Sequence, residues 1–366
     1  MNQALQPDKI KRLLVRGTNW VGDSVMVLPA LKQVRQEFSQ AHITLLVLPW
    51  VSGIYEEADC IDQILIYDRE RDHRGIRGRA RLIQTLRRSH FEAALLFQNA
   101  FEAALLAKLA RIPIRAGYRR DGRGWLLTHP VSIDLRISPL HQTYYYLDLV
   151  DQLLDRPRVA LGASRTPIQD AAKVPPLPDI SLQVSFPRKQ AARNRLRAEG
   201  IDPHRKLIGV NPGAAFGSAK RWLSDRYAEL LDRLIEQQGA NVVVFGAPSE
   251  LGIAESIRSL MRHPATLLTG KTELCELIAL IACCDLFITN DSGPMHLAAA
   301  LQVPTVAIFG PTNEIATGPL SPIAVVLNKK VECSPCLLRE CPIDHRCMTR
   351  ITVDEVYQHA SRLLSA

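Results

Sequence analysis

The sequence predicts an α/β protein made of two tandem doubly wound halves, each a parallel sheet with helices on its faces. Three observations predict it. Short apolar, β-rich runs alternate with helical stretches, which is the pattern of βαβ units. The chain has 366 residues, more than one compact domain usually holds. After a proline-rich stretch the same alternation begins again.

In order, Ile10 to Arg16 reads as the first strand. The turn Gly17 to Ser24 leads into a helix from Val25 to Phe38. His42–Leu48, Ile64–Tyr67, Ala93–Phe97 and Ile112–Tyr118 read as further strands, with an Ala/Leu-rich helix over Phe101–Ala110. Residues 140–154 form an amphipathic helix that closes the first half. Prolines crowd the stretch from Arg156 to Pro187, the expected linker. The second half has strands at Lys206–Val210, Asn241–Phe245, Thr266–Leu268, Leu286–Thr289, Thr305–Phe309 and Ala324–Leu327. Helices are expected at Ser224–Gln238, after Ser249, at Glu273–Cys283, at Met295–Leu301 and over 352–364. The resulting division is a first domain at 1–165, a linker at 166–200, a second domain at 201–350 and a terminal helix at 351–366, with a cleft between the two domains.

Composition bounds the function. Hydrophobic residues make up 47% and charged residues 22%, normal for a globular protein. No apolar run reaches the roughly 18 residues that span a bilayer, and the opening MNQALQPDKIKRLLVRG lacks the layout of a signal peptide; a cytoplasmic protein is expected. A net charge of +8 and a pI near 9.1 suggest an anionic partner. Aromatic residues are only 6%, without the aromatic and basic interleaving of RNA-binding modules, so nucleic acid is not expected as the partner.

The stretch Leu286 to Leu297 combines a buried strand, a sharp break at Asn290-Asp291-Ser292-Gly293-Pro294 and a helix. Ser292 is a good N-cap type and Pro294 is tolerated in a first turn. Free N–H groups and the helix dipole make such a turn an anion site, with Asp291 at the strand's carboxyl end and His296 in the first helical turn. The first βα turn, Gly17-x4-Gly22, has the outline of a P-loop but continues with Asp23-Ser24 instead of Lys-Ser/Thr. A carboxylate there repels phosphate. Asp23 either caps its helix or, facing a cleft, serves as a general base.

No G-x-G-x-x-G follows any strand, which argues against a dinucleotide-dependent dehydrogenase. No Asp-x-Asp pair occurs, so the commonest signature of a divalent ion on a sugar nucleotide is missing. Basic side chains and helix ends would then neutralise a diphosphate. Gly209 to Trp222 offers one: Asn211-Pro212-Gly213 ends a strand, and a small-residue loop carries Lys220 and Arg221. Lys220 either pairs with a phosphate or is simply solvated. Gly246 to Glu250 and Thr269 to Glu273 lie at two further strand ends, the second set reading as a helix start. Eight arginines lie between Arg69 and Arg88, and Arg119, Arg120 and Arg123 follow another strand. They form either a solvated basic face or the binding surface for an anionic acceptor. Cys333-x2-Cys336-x4-Cys341-x5-Cys347 clusters four thiols, but without the paired knuckles of a zinc ribbon; they are free or reversibly paired thiols, or a zinc site.

Three separated motifs then point to a family. Arg16-Gly-Thr-Asn-Trp-Val-Gly-Asp-Ser-Val-Met-Val-Leu-Pro-Ala-Leu31, the pieces Asn211-Pro-Gly-Ala-Ala215 and Ala219-Lys-Arg-Trp222, and Thr289-Asn-Asp-Ser-Gly-Pro-Met-His296 resemble the bacterial ADP-heptose:lipopolysaccharide heptosyltransferases. The Trp-Val-Gly-Asp turn and the Cys-x2-Cys…Glu-Cys-Pro run look most like the heptosyltransferase II group. Thr18-Asn19 departs slightly from the expected turn. The resemblance implies two Rossmann-like domains of the GT-B type facing a central cleft, and an inverting transfer that needs no metal and no cofactor beyond the donor ADP-heptose. It implies that the second domain binds the donor through Asn211, Gly213, Lys220, Asp291, Ser292, Gly293 and His296. The first domain would bind the inner core on lipid A through Trp20, Arg119, Arg120 and Arg123. Asp23 and Lys220 would be the catalytic pair, and the protein a monomer at the inner face of the inner membrane. Three other functions compete: the heptosyltransferase I or III step, a nucleotide-sugar epimerase of the same architecture, and a non-catalytic basic module for RNA or membrane.

Overall fold

The computed structural model describes residues 4–158 and 177–365. The chain divides into two compact units, Met1–Ile180 and Ser181–Ala366. Each is built on its own six-stranded sheet. In the first unit the strands are β1 (Arg12–Arg16), β2 (His42–Val47), β3 (Gln63–Ile66), β4 (Ala93–Leu96), β5 (Ile114–Tyr118) and β6 (His129–Val131), in the order β3-β2-β1-β4-β5-β6. In the second they are β7 (Leu207–Asn211), β8 (Asn241–Val244), β9 (Thr266–Leu267), β10 (Leu286–Asn290), β11 (Thr305–Phe309) and β12 (Ala324–Asn328), in the order β12-β11-β10-β7-β8-β9. Every pairing is parallel.

Numbered from its own first strand, each sheet reads 3-2-1-4-5-6, the doubly wound order. The order reverses between β1 and β4 in one sheet and between β7 and β10 in the other. Connections leaving opposite faces there open a crevice at the strands' carboxyl ends, where such sheets bind ligands. The central strands β7 and β10 are buried along their whole length, as continuous apolar runs covered on both faces must be.

The longer helices are α1 (Val21–Met26), α2 (Leu28–Glu37), α3 (Gly75–Arg88), α4 (Phe101–Leu109), α5 (Gln142–Leu153), α6 (Phe186–Ala198), α7 (Ser224–Gln238), α8 (Leu251–Leu260), α9 (Leu274–Ile281), α10 (Gly293–Ala300) and α11 (Val353–Ser365). The second unit's core lies between its sheet and α7, α8 and α11. Tyr227, Leu230, Leu231 and Leu234 line the inner face of α7, at the spacing of a single helical stripe. The helix stops at Gly239, whose left-handed backbone (φ 62°) glycine adopts without a Cβ penalty.

Several elements differ from expectation. The helix expected over Val25–Phe38 begins at Val21 and is broken at Val27, because Pro29 has no N–H to continue it and instead sits in the first turn of α2. Helix α3 lies within the arginine run, where Gly78, Leu82 and Leu86 form a buried stripe. The short strand β6 was hidden by Pro130. The segment expected to link the domains, 166–200, contains α6, which buries Ala192 and Leu196 and packs on α9 within the second unit. The proline-rich part of that segment, 166–176, lies outside the described residues. The expected terminal helix belongs to the second unit too, because α11 buries Val356 and Ala360 against α7.

Candidate active site

The second unit gathers its polar groups where β7 and β10 end. Asn211, the last residue of β7, donates through Nδ2 to the carbonyl of Gly213 (3.3 Å) and to Oγ of Ser292 (3.2 Å). It is 2% exposed. Asn290, the last residue of β10, accepts at Oδ1 from the Trp222 amide (3.1 Å) and the Tyr227 hydroxyl (3.0 Å), and donates to the carbonyl of Pro212 (2.6 Å). The two strand-end loops are thereby tied together. Next in sequence, Asp291 is 5% exposed and accepts at Oδ2 from the Lys220 ammonium (2.6 Å) and the Thr312 hydroxyl (2.6 Å).

Helix α10 starts immediately beyond. Ser292 stands at its N-cap, but no side-chain cap bond forms, contrary to expectation; its hydroxyl instead meets Asn211 and Thr289. The first turn thus points uncapped N–H groups outward beside Lys220, a cradle for an anion. His296 is buried in that turn. Gly213 lies against Glu250, since a Cβ there would come within 2.1 Å of the carboxylate. Glu250 follows β8 and accepts the Ala247 amide at 2.8 Å.

The first unit places Asp23 in the first turn of α1, beyond β1. Its side chain does not cap the helix, whose N-cap is Trp20. Instead it accepts a bond from the Tyr146 hydroxyl at 3.0 Å. Tyr146 comes from α5, which packs on α1 and α2, and its ring meets that of Phe97 beyond β4 edge-on at 5.9 Å. Burial raises the Asp23 carboxyl above its ordinary 3.8, and the Tyr146 bond partly opposes this. Arg16 is buried beneath the turn and donates to the carbonyls of Gly17 (2.7 Å) and Leu46 (3.1 Å) and to Oδ1 of Asn19 (2.8 Å). Burial pushes its guanidinium down to about 10.

Of the expected acceptor residues, Trp20 is 67% exposed and Arg119 and Arg120 are exposed. Arg123 is a correction. It is fully buried, and its guanidinium donates to the carbonyls of Tyr118 (3.0 Å), Gln98 and Leu96 (3.3 Å) and to Oδ1 of Asn99 (3.0 Å). It neutralises the strand ends of its own sheet and is not presented to a ligand. All eight cysteines are free thiols. Among the described residues no group of three or more His, Cys, Asp or Glu is placed to hold a metal ion.

Sequence patterns found Asp23, Lys220 and Asp291 because each lies in a short motif at a strand end. They missed Tyr146 and Thr312. Tyr146 lies 123 residues from Asp23, and only packing brings the two together.

The comparisons give the family and the fold. The glycosyltransferase family 9 (heptosyltransferase) model matches residues 79–346. The chain is 32% identical to lipopolysaccharide heptosyltransferase 2 of Escherichia coli K12, over 86% of this chain and 87% of that one. It is 30% identical to lipooligosaccharide heptosyltransferase 2 of Haemophilus ducreyi, over 97% and 99%. Its fold matches the solved structure of E. coli ADP-heptose LPS heptosyltransferase II with a TM-score of 0.79 at 29% identity, covering 97% of this chain and 98% of that one. The chain belongs to glycosyltransferase family 9, the heptosyltransferases.

Proposed function

We propose that the enzyme moves a heptose from ADP-heptose to a heptose hydroxyl of the lipopolysaccharide inner core on Kdo–lipid A, the heptosyltransferase II step, with inversion and without a metal. What carries the proposal is the pair of half-buried Lys220 and buried Asp291 beside the uncapped start of α10, at the point where the second sheet's strand order reverses. A cation and free N–H groups at one strand-end crevice suit a diphosphate. Asn211, Gly213, Ser292, Gly293 and His296 complete the donor cradle. Glu250, in the turn after the unit's second strand, suits the ribose hydroxyls, much as an acidic residue beyond a strand does in dinucleotide-binding sheets.

Asp23 takes the proton of the acceptor hydroxyl as its oxygen bonds to the anomeric carbon. The bond from that carbon to the β-phosphate oxygen breaks on the opposite face, so the configuration inverts. ADP leaves with the electron pair, and Lys220 and the α10 N–H groups stabilise the charge. Asp291 holds Lys220 in place and faces the donor sugar. Trp20, Arg119 and Arg120 present an aromatic and cationic surface to a phosphorylated acceptor. No helix of the described residues is long and apolar enough to cross a membrane, and we propose that the enzyme works at the inner membrane's cytoplasmic surface as a monomer.

The test is to incubate the protein with ADP-heptose and defined inner-core acceptors, with and without EDTA, and weigh the products. One added heptose per acceptor, unaffected by EDTA, is expected. Donor consumption without acceptor would sink the proposal in favour of an epimerase.

A further inference from the structure

Lys220 sits on a loop, and one distant segment holds that loop from outside. The residue before it, Ala219, has both backbone groups engaged by residues 339–345. Its N–H donates to the carbonyl of Arg339 at 2.9 Å, and its carbonyl faces Nε2 of His345 at 2.8 Å. Gly217 lies against the same segment, since a Cβ there would come within 2.2 Å of the Arg339 carbonyl oxygen. The Arg339 guanidinium stands 5.6 Å from the centre of the Phe216 ring, and the Lys220 ammonium stands 5.0 Å from that ring.

The holding segment is itself anchored. The Leu337 amide donates to the carbonyl of Pro311 at 2.8 Å, and the Ser334 hydroxyl donates to the carbonyl of Gly310. Its end is buried at Cys347 and Met348. His345 has a left-handed backbone (φ 54°), uncommon for a residue with a Cβ, and such outliers persist where their surroundings over-determine them. On the far side of Lys220, the Trp222 amide is bonded to Asn290. The loop is thus fixed one residue before Lys220 and two residues after it.

We propose that His345 is a positioning residue for the transfer reaction: by donating from Nε2 to the Ala219 carbonyl, it sets where Lys220 presents its ammonium to the departing diphosphate. A lysine carries its charge on a flexible stem. The ammonium is paired with Asp291 at 2.6 Å, and on an unanchored loop it leaves the position from which it reaches both that carboxylate and the donor. The clamp holds the backbone so that the ammonium serves both partners. This inference rests on the role assigned to Lys220 above.

The test is a double-mutant cycle on ADP affinity, measured by calorimetry, and on kcat for heptose transfer. His345→Ala is expected to weaken ADP binding and lower kcat by several-fold to about tenfold, within the range of coupling between neighbouring residues. His345→Gln keeps an N–H donor of similar reach and should recover most of the loss. In the Lys220→Ala background, His345→Ala should cost nothing further, because positioning acts only through Lys220. If the two losses multiply, or if His345→Ala changes nothing while Lys220→Ala weakens binding, the inference is overturned and the donor-site assignment stands. Failure of the wild type to bind ADP, or unchanged affinity in Lys220→Ala, sinks the donor-site assignment and the inference together. If His345→Ala shows no melting transition, Gly217→Ala replaces it in the cycle, since its Cβ would displace the Arg339 carbonyl, by which the same segment holds the Ala219 amide.

Discussion

At the residue scale, Asp23 is the group whose environment bears most directly on chemistry. Burial raises its carboxyl above 3.8, so more protons must be removed from solution before it can act as a base. The rate should therefore fall on the acid side through an apparent pKa above the ordinary aspartate value. Tyr146→Phe removes the bond that favours the ionised form, so this limb should move to higher pH in a kcat/KM profile. Asp23→Asn should cut kcat by about 100-fold or more. A raised folded-state pKa also means that stability is fully present below the unfolded value and is lost as pH rises through the folded one. Above the folded-state pKa the ionised Asp23 opposes folding, and there the asparagine variant should melt at or above the wild-type temperature. Lys220→Ala should lower kcat by roughly 100- to 1,000-fold, the scale of losing one transition-state donor. Asp23, Lys220 and Asp291 were legible because each lies in a short motif at a strand end. Tyr146 and Thr312 were not, since each meets its partner only through the fold.

At the element scale, strand-end loops determine what each side chain can do. Arg119, Arg120 and Arg123 follow one strand and read alike in sequence. Arg123 turns inward because carbonyls at and just beyond the ends of β4 and β5 converge there, and a guanidinium can satisfy several at once. Arg123→Leu should therefore destabilise the fold by about 3 kcal/mol, read as a fall in Tm, because buried carbonyls lose their donor. Arg120→Ala should leave Tm unchanged and raise the KM for a phosphorylated acceptor several-fold. Gly213→Ala should weaken ADP binding, because its Cβ would displace the Glu250 carboxylate. Helix α3 was hidden by composition: arginines dominate the run, while its buried stripe needs only Gly78, Leu82 and Leu86. The buried parallel strands were the easiest elements to find, since burial on both faces demands continuous apolar residues.

At the scale of the whole molecule, two units share one topology and carry different chemistry. The crevice of the first sheet holds a carboxylate, Asp23; that of the second holds a cation, Lys220, and an uncapped helix. With a net charge of +8, association with an anionic acceptor should be salt-sensitive. Raising salt from about 50 to 300 mM should raise the acceptor KM several-fold, and less so for an acceptor without phosphates. The sequence by itself determined the two-fold repetition of the α/β pattern and the family, and marked Asp23, Lys220 and Asp291 as candidates. These follow from local causes: apolar runs, helix starts and the residue types that chemistry needs at strand ends. Only the tertiary structure decided that Arg123 is internal, that α6 and α11 belong to the second unit, that Tyr146 tunes Asp23 and that residues 339–345 hold the Lys220 loop. Those outcomes depend on contacts between residues far apart in the chain, and such contacts leave no periodicity or spacing to read.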